Sequence, residues 1–380
     1  MSLNRPLVPA LIALAGTALF VVLRLASVGG ASRFVVAGDT LSDPLRVPAG
    51  LPVLRSSSGY DGQAFYRLAL DPFTRVRSAY GITLDTPPYR QQRIGYPLTA
   101  WAISGGGDPR ALPWVLIGIN IAAMAAIGFI GALLARAFDR HAMWGLIFVA
   151  HPGFVVSVAR DLSEPMAAAW MLAGLLLLRR SRSTGAALAL TAAVLTRETT
   201  AIVPIGLAVS WLIQRVGSRR ERRPAREFLI PLAAFAAWET ILTAWWGQVP
   251  FTSNRNATQA PLVGLVRHIR SVFAHPTADS VTSLFEIAFF IGIVVVACAI
   301  LRSENVRSYE RWAFMAALVS AALLSANVWF DHAHFLRALT EVYLLGATII
   351  LAGWTSELNV FGAATGAFVG SVAAIFARKL

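Results

Sequence analysis

Long apolar stretches recur along this chain, and they constrain its fold more than any other feature. A helix needs about 20 mainly apolar residues to cross the hydrocarbon core of a membrane, and many segments meet or approach that length. The sequence predicts about eleven spans, at residues 7–28, 111–135, 141–158, 164–178, 184–196, 199–214, 228–246, 283–301, 312–330, 338–354 and 359–377. We therefore expect an all-α, polytopic integral membrane protein with a single membrane domain over residues 1–380.

The composition excludes a water-soluble enzyme. Hydrophobic residues make up 56% of the chain and charged residues only 14%, against about 25% in soluble proteins. The formal net charge of +13 comes mostly from Arg in short gaps between apolar runs, which indicates membrane topology rather than a nucleic-acid partner. Because Cys298 is the only cysteine, neither an intrachain disulfide nor a multi-cysteine metal site can form.

The distribution of Arg predicts which loops face the cytoplasm. Short loops rich in Arg belong there by the positive-inside rule, and they cover residues 136–140, 179–182, 215–226 and 302–311. The opposite side receives a first extracytoplasmic loop at 29–110, with an amphipathic surface helix at 61–70 and a re-entrant or interfacial piece at 94–103. A second loop at 247–283 carries another amphipathic helix at 261–273. The expected location is the cell (inner or plasma) membrane.

Charged side chains from four separate segments fall on this outer side. Charges near membrane depth are costly, so such residues mark candidate functional sites. They are Asp61 in the first loop, Arg160, Asp161 and Glu164 in one turn, Arg197 and Glu198 in another, and His332, His334 and Arg337 in a third. A carboxylate can take the proton from an attacking hydroxyl, and Arg can hold a phosphate through two parallel hydrogen bonds. The set therefore predicts a site that activates a hydroxyl beside a lipid-linked phosphate.

Parts of this set also have a purely structural interpretation. Arg160 with Glu164, and Arg197 with Glu198, could be ion pairs that only neutralise helix ends. His332 and His334 are two residues apart, which points them in different directions on a helix, so we do not expect a zinc site.

Four short motifs carry a resemblance to a known family. They are Tyr60-Asp-Gly-Gln-Ala-Phe-Tyr66 in the first outer loop, Arg160-Asp-Leu-Ser-Glu-Pro165, Leu195-Thr-Arg197 between two short spans, and the late outer Arg337. In order and topology they resemble the GT-C superfamily of polytopic glycosyltransferases, which includes mannosyltransferases and aminoarabinose transferases. The resemblance implies a GT-C-like fold. It also implies inverting transfer, on the extracytoplasmic side, of a sugar from a polyprenyl-phosphate donor to a hydroxyl of a lipid or cell-envelope glycan.

The resemblance also suggests roles for individual residues. Asp61 corresponds by position to the catalytic base, and Arg337, together with Arg160 or Arg197, to the contacts with the donor phosphate. Asp161 and Glu164 would position the acceptor or orient these Arg side chains. The remaining candidates for substrate binding are Glu198, Gln63, Tyr60, Tyr66, Arg90, Arg93, His332 and His334.

Cofactor and alternative functions follow from the same motifs. Members of the superfamily that use a divalent cation carry Asp-x-Asp, where this chain has Asp61-Gly-Gln63, so we expect a metal-free site. The main alternative is a lipid or sugar transporter or flippase, which would have its polar site near the midplane between repeated halves. A second alternative is a non-enzymatic scaffold for envelope assembly.

Overall fold

Helices form nearly all of the regular structure in the computed structural model, which describes residues 3–216, 224–253 and 257–354. The helices are α1 (Leu7–Val28), α2 (Asp61–Leu70), α3 (Pro87–Gln91), α4 (Gly95–Ile103), α5 (Leu112–Ala137), α6 (Leu146–Val149), α7 (Pro152–Ala159), α8 (Glu164–Arg179), α9 (Ser183–Thr196), α10 (Ile202–Val216), α11 (Arg226–Trp246), α12 (Pro250–Ser253), α13 (Val263–Ala274), α14 (Ala278–Ile300), α15 (Ser308–Ala322), α16 (Ala326–Phe330), α17 (His332–Ala338) and α18 (Thr340–Gly353). In the first loop β1 (Ala37–Gly38) pairs in parallel with β2 (Val53–Leu54), and β3 (Ser78–Ala79) pairs antiparallel with β4 (Ile82–Thr83).

Five helical segments among the described residues are long and apolar enough to cross a membrane. They are α1, α5, α11, residues 198–216 including α10, and residues 282–300 of α14. Two bent pairs raise the number to 7: residues 142–149 with α7, at 59°, and α17 with α18, at 45°. The predicted helical, membrane-type architecture is confirmed, whereas the count of eleven spans is not. The predicted span at 359–377 lies outside the described residues.

Two of the predicted spans are interrupted. The segment at 141–158 breaks before Pro152, which has no N–H to continue the preceding helix, and α7 starts there in a new direction. The segment at 312–330 divides into α15 and α16. At this break the N–H of Leu262 donates to the carbonyl of Ala322 at 2.6 Å, so a distant loop uses a carbonyl at the end of α15.

Small residues allow the helices to pack closely. Helix α8 packs between α5 and α9, α1 packs along α5, and α10 packs along α15. A Cβ built on Gly131 of α5 would lie 2.7 Å from the carbonyl oxygen of Gly145, and one on Gly206 of α10 would lie 2.8 Å from the Cα of Ala313. Close backbone approach at small residues is typical of helix packing in membranes.

The first loop packs into the protein instead of lying on its surface. Helix α2 has the predicted bounds, but every residue from Gly62 to Leu70 is buried, so the prediction of a surface helix is wrong. Phe65 of α2 packs edge-on against Tyr96 of α4, with ring centroids 5.4 Å apart. Helix α4 has 9 residues and is too short to cross a membrane, as the sequence predicts.

The second amphipathic helix forms close to its predicted position. Helix α13 buries His268 and Val272, whereas Arg267 and Arg270 are exposed. The side of α13 that includes Gly264 packs on α16, whereas the apolar side chains of Val266 and Phe273 are exposed. A helix is therefore present close to the predicted position, but its most apolar residues are not the ones that it buries.

Candidate functional site

The predicted charged segments meet at one end of the helical bundle. This end holds the first residues of α2, helix α3, the turn between α7 and α8, the turn between α9 and α10, and helix α17. The opposite end of α8, about 24 Å away at 1.5 Å per residue, carries a separate ion pair between Arg179 and Glu310. The convergence of four separate segments, which the sequence predicted, is therefore present in the fold.

Asp61 lies at the centre of this end, between two guanidinium groups. Its Oδ1 accepts a hydrogen bond from Nη1 of Arg90 at 2.5 Å, and its Oδ2 accepts one from Nη2 of Arg337 at 2.9 Å. Burial alone would raise the pKa of the Asp61 carboxyl, but Arg90, Arg337 and Arg93 outweigh it and hold the pKa well below the usual value. The side chain is 15% exposed, so an ionised carboxylate faces the surface of the cluster.

A glycine allows Asp61 to reach this position. Gly62 packs directly on the backbone: a Cβ there would lie 2.7 Å from the carbonyl oxygen of Val35 and closer still to that of Arg160. The N-terminus of α2 therefore rests against the turn that follows α7. Any larger residue at position 62 would push Asp61 away from that turn.

Arg337 is held on three sides. Its Nε and Nη2 lie 2.8 Å and 2.7 Å from Oε1 of Glu164, a side chain with 0% exposure. Its Nη1 donates to the hydroxyl of Tyr60 at 3.1 Å, and its Nη2 also reaches Asp61. Glu164 therefore fixes the guanidinium from inside the protein, while Asp61 contacts it from the outside.

Arg90 is fixed in the same manner by a carboxylate that the sequence analysis missed. Its Nε and Nη2 donate to the two oxygens of Asp85, both at 2.8 Å, which leaves Nη1 for Asp61. Burial acts to lower the pKa of Arg90, but the two carboxylates outweigh it and raise the pKa above the usual value. The sequence does contain a signal for this pair. Asp85 precedes Pro87 and Pro88, which are typical of a helix start, and it lies five residues before Arg90.

Arg197 and Glu198, the next turn in the set, do not pair with each other. Arg197 lies 3.3 Å from Glu164 and 3.6 Å from Glu341, and it donates to the carbonyl of Arg337 at 3.0 Å. Glu198 instead forms a two-fold pair with Arg93, at 2.7 Å and 2.6 Å. The local pairing of Arg197 with Glu198 that the sequence left open is replaced by contacts with distant segments.

Arg160 differs from the other arginines of the cluster. In the part of the chain that the structure describes it forms no ion pair, with Glu164 or with any other carboxylate. Its guanidinium lies 4.2 Å from the centre of the Tyr60 ring, which also stacks on the ring of His334 at 5.3 Å. A half-buried cation on an aromatic ring, whose side chain donates no hydrogen bond to any residue that the structure describes, can accept an anion.

Four candidate residues from the sequence lie apart from this cluster. Gln63 is buried, and its amide binds the loop through the Gly38 N–H, the Ser42 hydroxyl and the Ser58 carbonyl. The hydroxyl of Tyr66 donates to the carbonyl of Pro109. Asp161 is fully buried, with Arg24 as its charged neighbour. His332 lies 2.7 Å from Glu286 of α14. These positions do not support direct substrate roles for the four residues.

The arrangement as a whole is balanced in charge. It contains the guanidinium groups of Arg90, Arg93, Arg160, Arg197 and Arg337 and the carboxylates of Asp61, Asp85, Glu164, Glu198 and Glu341. A carboxylate that reaches the surface beside several arginines can accept a proton next to a bound anion. No protein-family model, curated protein or solved structure matches this chain, so the geometry of the cluster carries the functional argument.

Proposed function

We propose that this protein is a membrane glycosyltransferase that moves a sugar from a polyprenyl-phosphate donor to a hydroxyl of a lipid or cell-envelope glycan. One observation carries the proposal. The partly exposed carboxylate of Asp61 lies within hydrogen-bond distance of Arg90 and Arg337. Arg160, which has no ion pair within residues 3–216, 224–253 and 257–354, lies against the same tyrosine as Arg337. A base and a set of phosphate-binding groups thus share one end of a membrane-type bundle.

Asp61 has the role of general base in this reaction. Its carboxylate takes the proton of the acceptor hydroxyl as the hydroxyl oxygen forms a bond to the anomeric carbon of the sugar. The bond between that carbon and the phosphate oxygen breaks, and the polyprenyl phosphate leaves with the electron pair. Attack on the side opposite the leaving group inverts the configuration of the anomeric carbon.

Arginines stabilise the charge that develops on the departing phosphate. Planar guanidinium groups bind phosphate through pairs of hydrogen bonds, and prearranged donors lower the barrier without reorganisation. Of the two alternatives that the sequence left open, Arg160 is the better phosphate ligand, because Arg197 already contacts Glu164, Glu341 and the carbonyl of Arg337. Arg337 and Arg160 are among the proposed contacts of the donor phosphate, and we expect no divalent cation to be required.

The location of the site follows from the charge of the loops. The positive-inside rule assigns the opposite end of the bundle, with its Arg-rich short loops, to the cytoplasm. The proposed site therefore faces the extracytoplasmic side of the cell membrane. There it would meet donor lipids from the membrane and an acceptor that approaches through the outer loops.

A lipid or sugar transporter is the second candidate function. The two bent helix pairs favour it, since transporters place substrates at broken helices. Arg337 and Glu341 of the cluster do lie beside one of these bends, but Asp61 and Arg90 belong to the short helices α2 and α3 of the first loop, outside every candidate span. This placement favours chemistry at the membrane boundary.

The experiment that separates the two functions uses purified protein in liposomes. Transfer of labelled sugar is measured from a panel of polyprenyl-phosphate sugars to a cell-envelope lipid extract, and movement of the same donors across the bilayer is measured in parallel. The proposal predicts a labelled product without donor movement. Donor movement without any labelled product would support the transporter instead.

A further inference from the structure

Asp61 bridges two arginines of the cluster. Its two oxygens lie 2.5 Å from Nη1 of Arg90 and 2.9 Å from Nη2 of Arg337, so one small anion joins two guanidinium groups. Phosphate presents the same arrangement of acceptor oxygens. The Asp61 carboxylate accepts a hydrogen bond from each of these donors.

Each of the two arginines also has a second carboxylate that keeps it in place. Asp85 binds Arg90 through two hydrogen bonds, and Glu164 binds Arg337. If Asp61 moved away, both guanidinium groups would remain charged and oriented. The pair would then present free donors to an incoming anion.

Asp61 is freer to move than the carboxylate that holds Arg337. It is the first residue of α2, and its side chain is 15% exposed. Glu164, by contrast, is fully buried and also accepts a hydrogen bond from Ser157. A change of side-chain rotamer at Asp61 can therefore break its two contacts without moving the helices.

We propose that Asp61 is an internal competitor for the phosphate-binding arginines, and that the phosphate of the bound donor displaces it from Arg90 and Arg337. The inference rests on the proposed function for the identity of the anion, a polyprenyl phosphate. Displacement separates the carboxylate from two cations and places a new negative charge beside it. Both changes raise the pKa of Asp61, so the carboxylate becomes a stronger base only when the donor is present.

The test measures binding of farnesyl phosphate to the full-length protein in detergent by calorimetry. Removing the competitor should tighten binding by about tenfold in Asp61→Asn, because the arginines no longer exchange one charged hydrogen-bond partner for another. Asp61→Ser, which leaves no amide to bind the arginines, should bind at least as tightly. Asp85→Asn is the matched control, since it removes an equal charge from Arg90 without emptying the position between the arginines; it should not tighten binding.

Two further ligands show whether the protein recognises the phosphate group or the prenyl chain. Inorganic phosphate should show the same Asp61 effect at lower affinity, and farnesol should show none. Equal or weaker binding by both Asp61 variants, each shown by a cooperative melting transition to be folded at the assay temperature, would overturn the inference, as would equal tightening in Asp85→Asn. Loss of sugar transfer with no tightening would overturn this inference alone, whereas tightening in a protein that transfers no sugar would overturn the proposed glycosyltransferase function alone.

Discussion

Replacement of Glu164 by Gln should destabilise the protein and release Arg337. The carboxylate of Glu164 has 0% exposure and lies 2.7 Å from Arg337 and 3.3 Å from Arg197, so its removal leaves two buried guanidinium groups short of a partner. Breaking a buried pair in this way costs about 3–5 kcal/mol. The lower end applies, about 3 kcal/mol, because Arg337 keeps Asp61 and Arg197 keeps Glu341.

This loss converts into a measurable shift in melting temperature. With an unfolding entropy of about 2 cal/mol/K per residue, about 3 kcal/mol lowers the Tm of a chain of 380 residues by about 4 °C. The assay is thermal unfolding in detergent, together with calorimetric binding of farnesyl phosphate. Glu164→Gln should lose both stability and phosphate affinity, because Arg337 is no longer held in its binding orientation.

A matched control exists at the other end of α8. Glu310 also has 0% exposure and forms a two-fold pair with Arg179, at 2.7 Å and 2.6 Å. Glu310→Gln should lower Tm by a similar amount and leave phosphate affinity unchanged. A Tm of Glu164→Gln equal to that of the wild type, or equal loss of phosphate affinity in both variants, would refute the assigned role of Glu164.

Three further predictions concern the surroundings of Asp61. Gly62→Ala should reduce sugar transfer by at least tenfold and retain the helical circular dichroism signal, because a Cβ there collides with the carbonyl of Val35 and shifts Asp61. A rate of transfer equal to that of the wild type would show that the close packing of Gly62 does not position Asp61. Arg160→Gln should weaken farnesyl phosphate binding by about tenfold, as expected for loss of a charged hydrogen bond, with a melting curve close to wild type because Arg160 forms no ion pair among the described residues. Finally, the pKa of Asp61 is lowered in the folded protein, so its stabilising contribution is complete above the unfolded value of about 3.9 and is lost as the pH falls through the lower folded value. The Tm difference between wild type and Asp61→Asn should therefore stay constant from about pH 7 to pH 5 and shrink below about pH 4. A Tm difference that already disappears at pH 5 would show that the pKa is not lowered.

Hydropathy predicted helix positions well where apolar runs end at polar residues. The bounds of α1 match the predicted 7–28, and those of α9 match 184–196 within one residue. Breaks inside apolar runs were harder to predict. Pro152 was a visible signal for one of them, whereas the end of α15 at Ala322 depends on hydrogen bonds from residues 259 and 262, which no local pattern shows.

Sequence also predicted which segments meet, but not which side chains pair. Successive spans cross the membrane in alternate directions, so every second loop lies on the same side of the membrane. This rule grouped Asp61 with Arg160, Arg197 and Arg337. The actual partners depend on burial and on long-range packing: Glu164 binds an arginine 173 residues away, and Glu198 binds one 105 residues away. For this reason the local pairs within each turn, which the sequence left open, are absent from the described residues.

The geometry of a helix explains why two of the candidate side chains point away from Asp61. Successive residues are rotated by about 100° in an α-helix, so Gln63 points about 200° away from Asp61. Tyr66, five residues from Asp61, is rotated by about 140° and packs into the first loop. Proximity in sequence to a catalytic candidate was therefore a poor guide, and the helical period that predicted α2 could have excluded both side chains.

The central claim is that Asp61 removes the proton from the acceptor, and the turnover rate at saturating donor tests it most directly. The rate of sugar transfer is measured for the wild type, Asp61→Asn and Asp161→Asn, with Asp161 as the carboxylate that is buried outside the cluster. The account predicts that Asp61→Asn lowers the rate by about 100-fold or more while the donor still binds, and that Asp161→Asn keeps a rate near that of the wild type. An undiminished rate in Asp61→Asn would contradict the account.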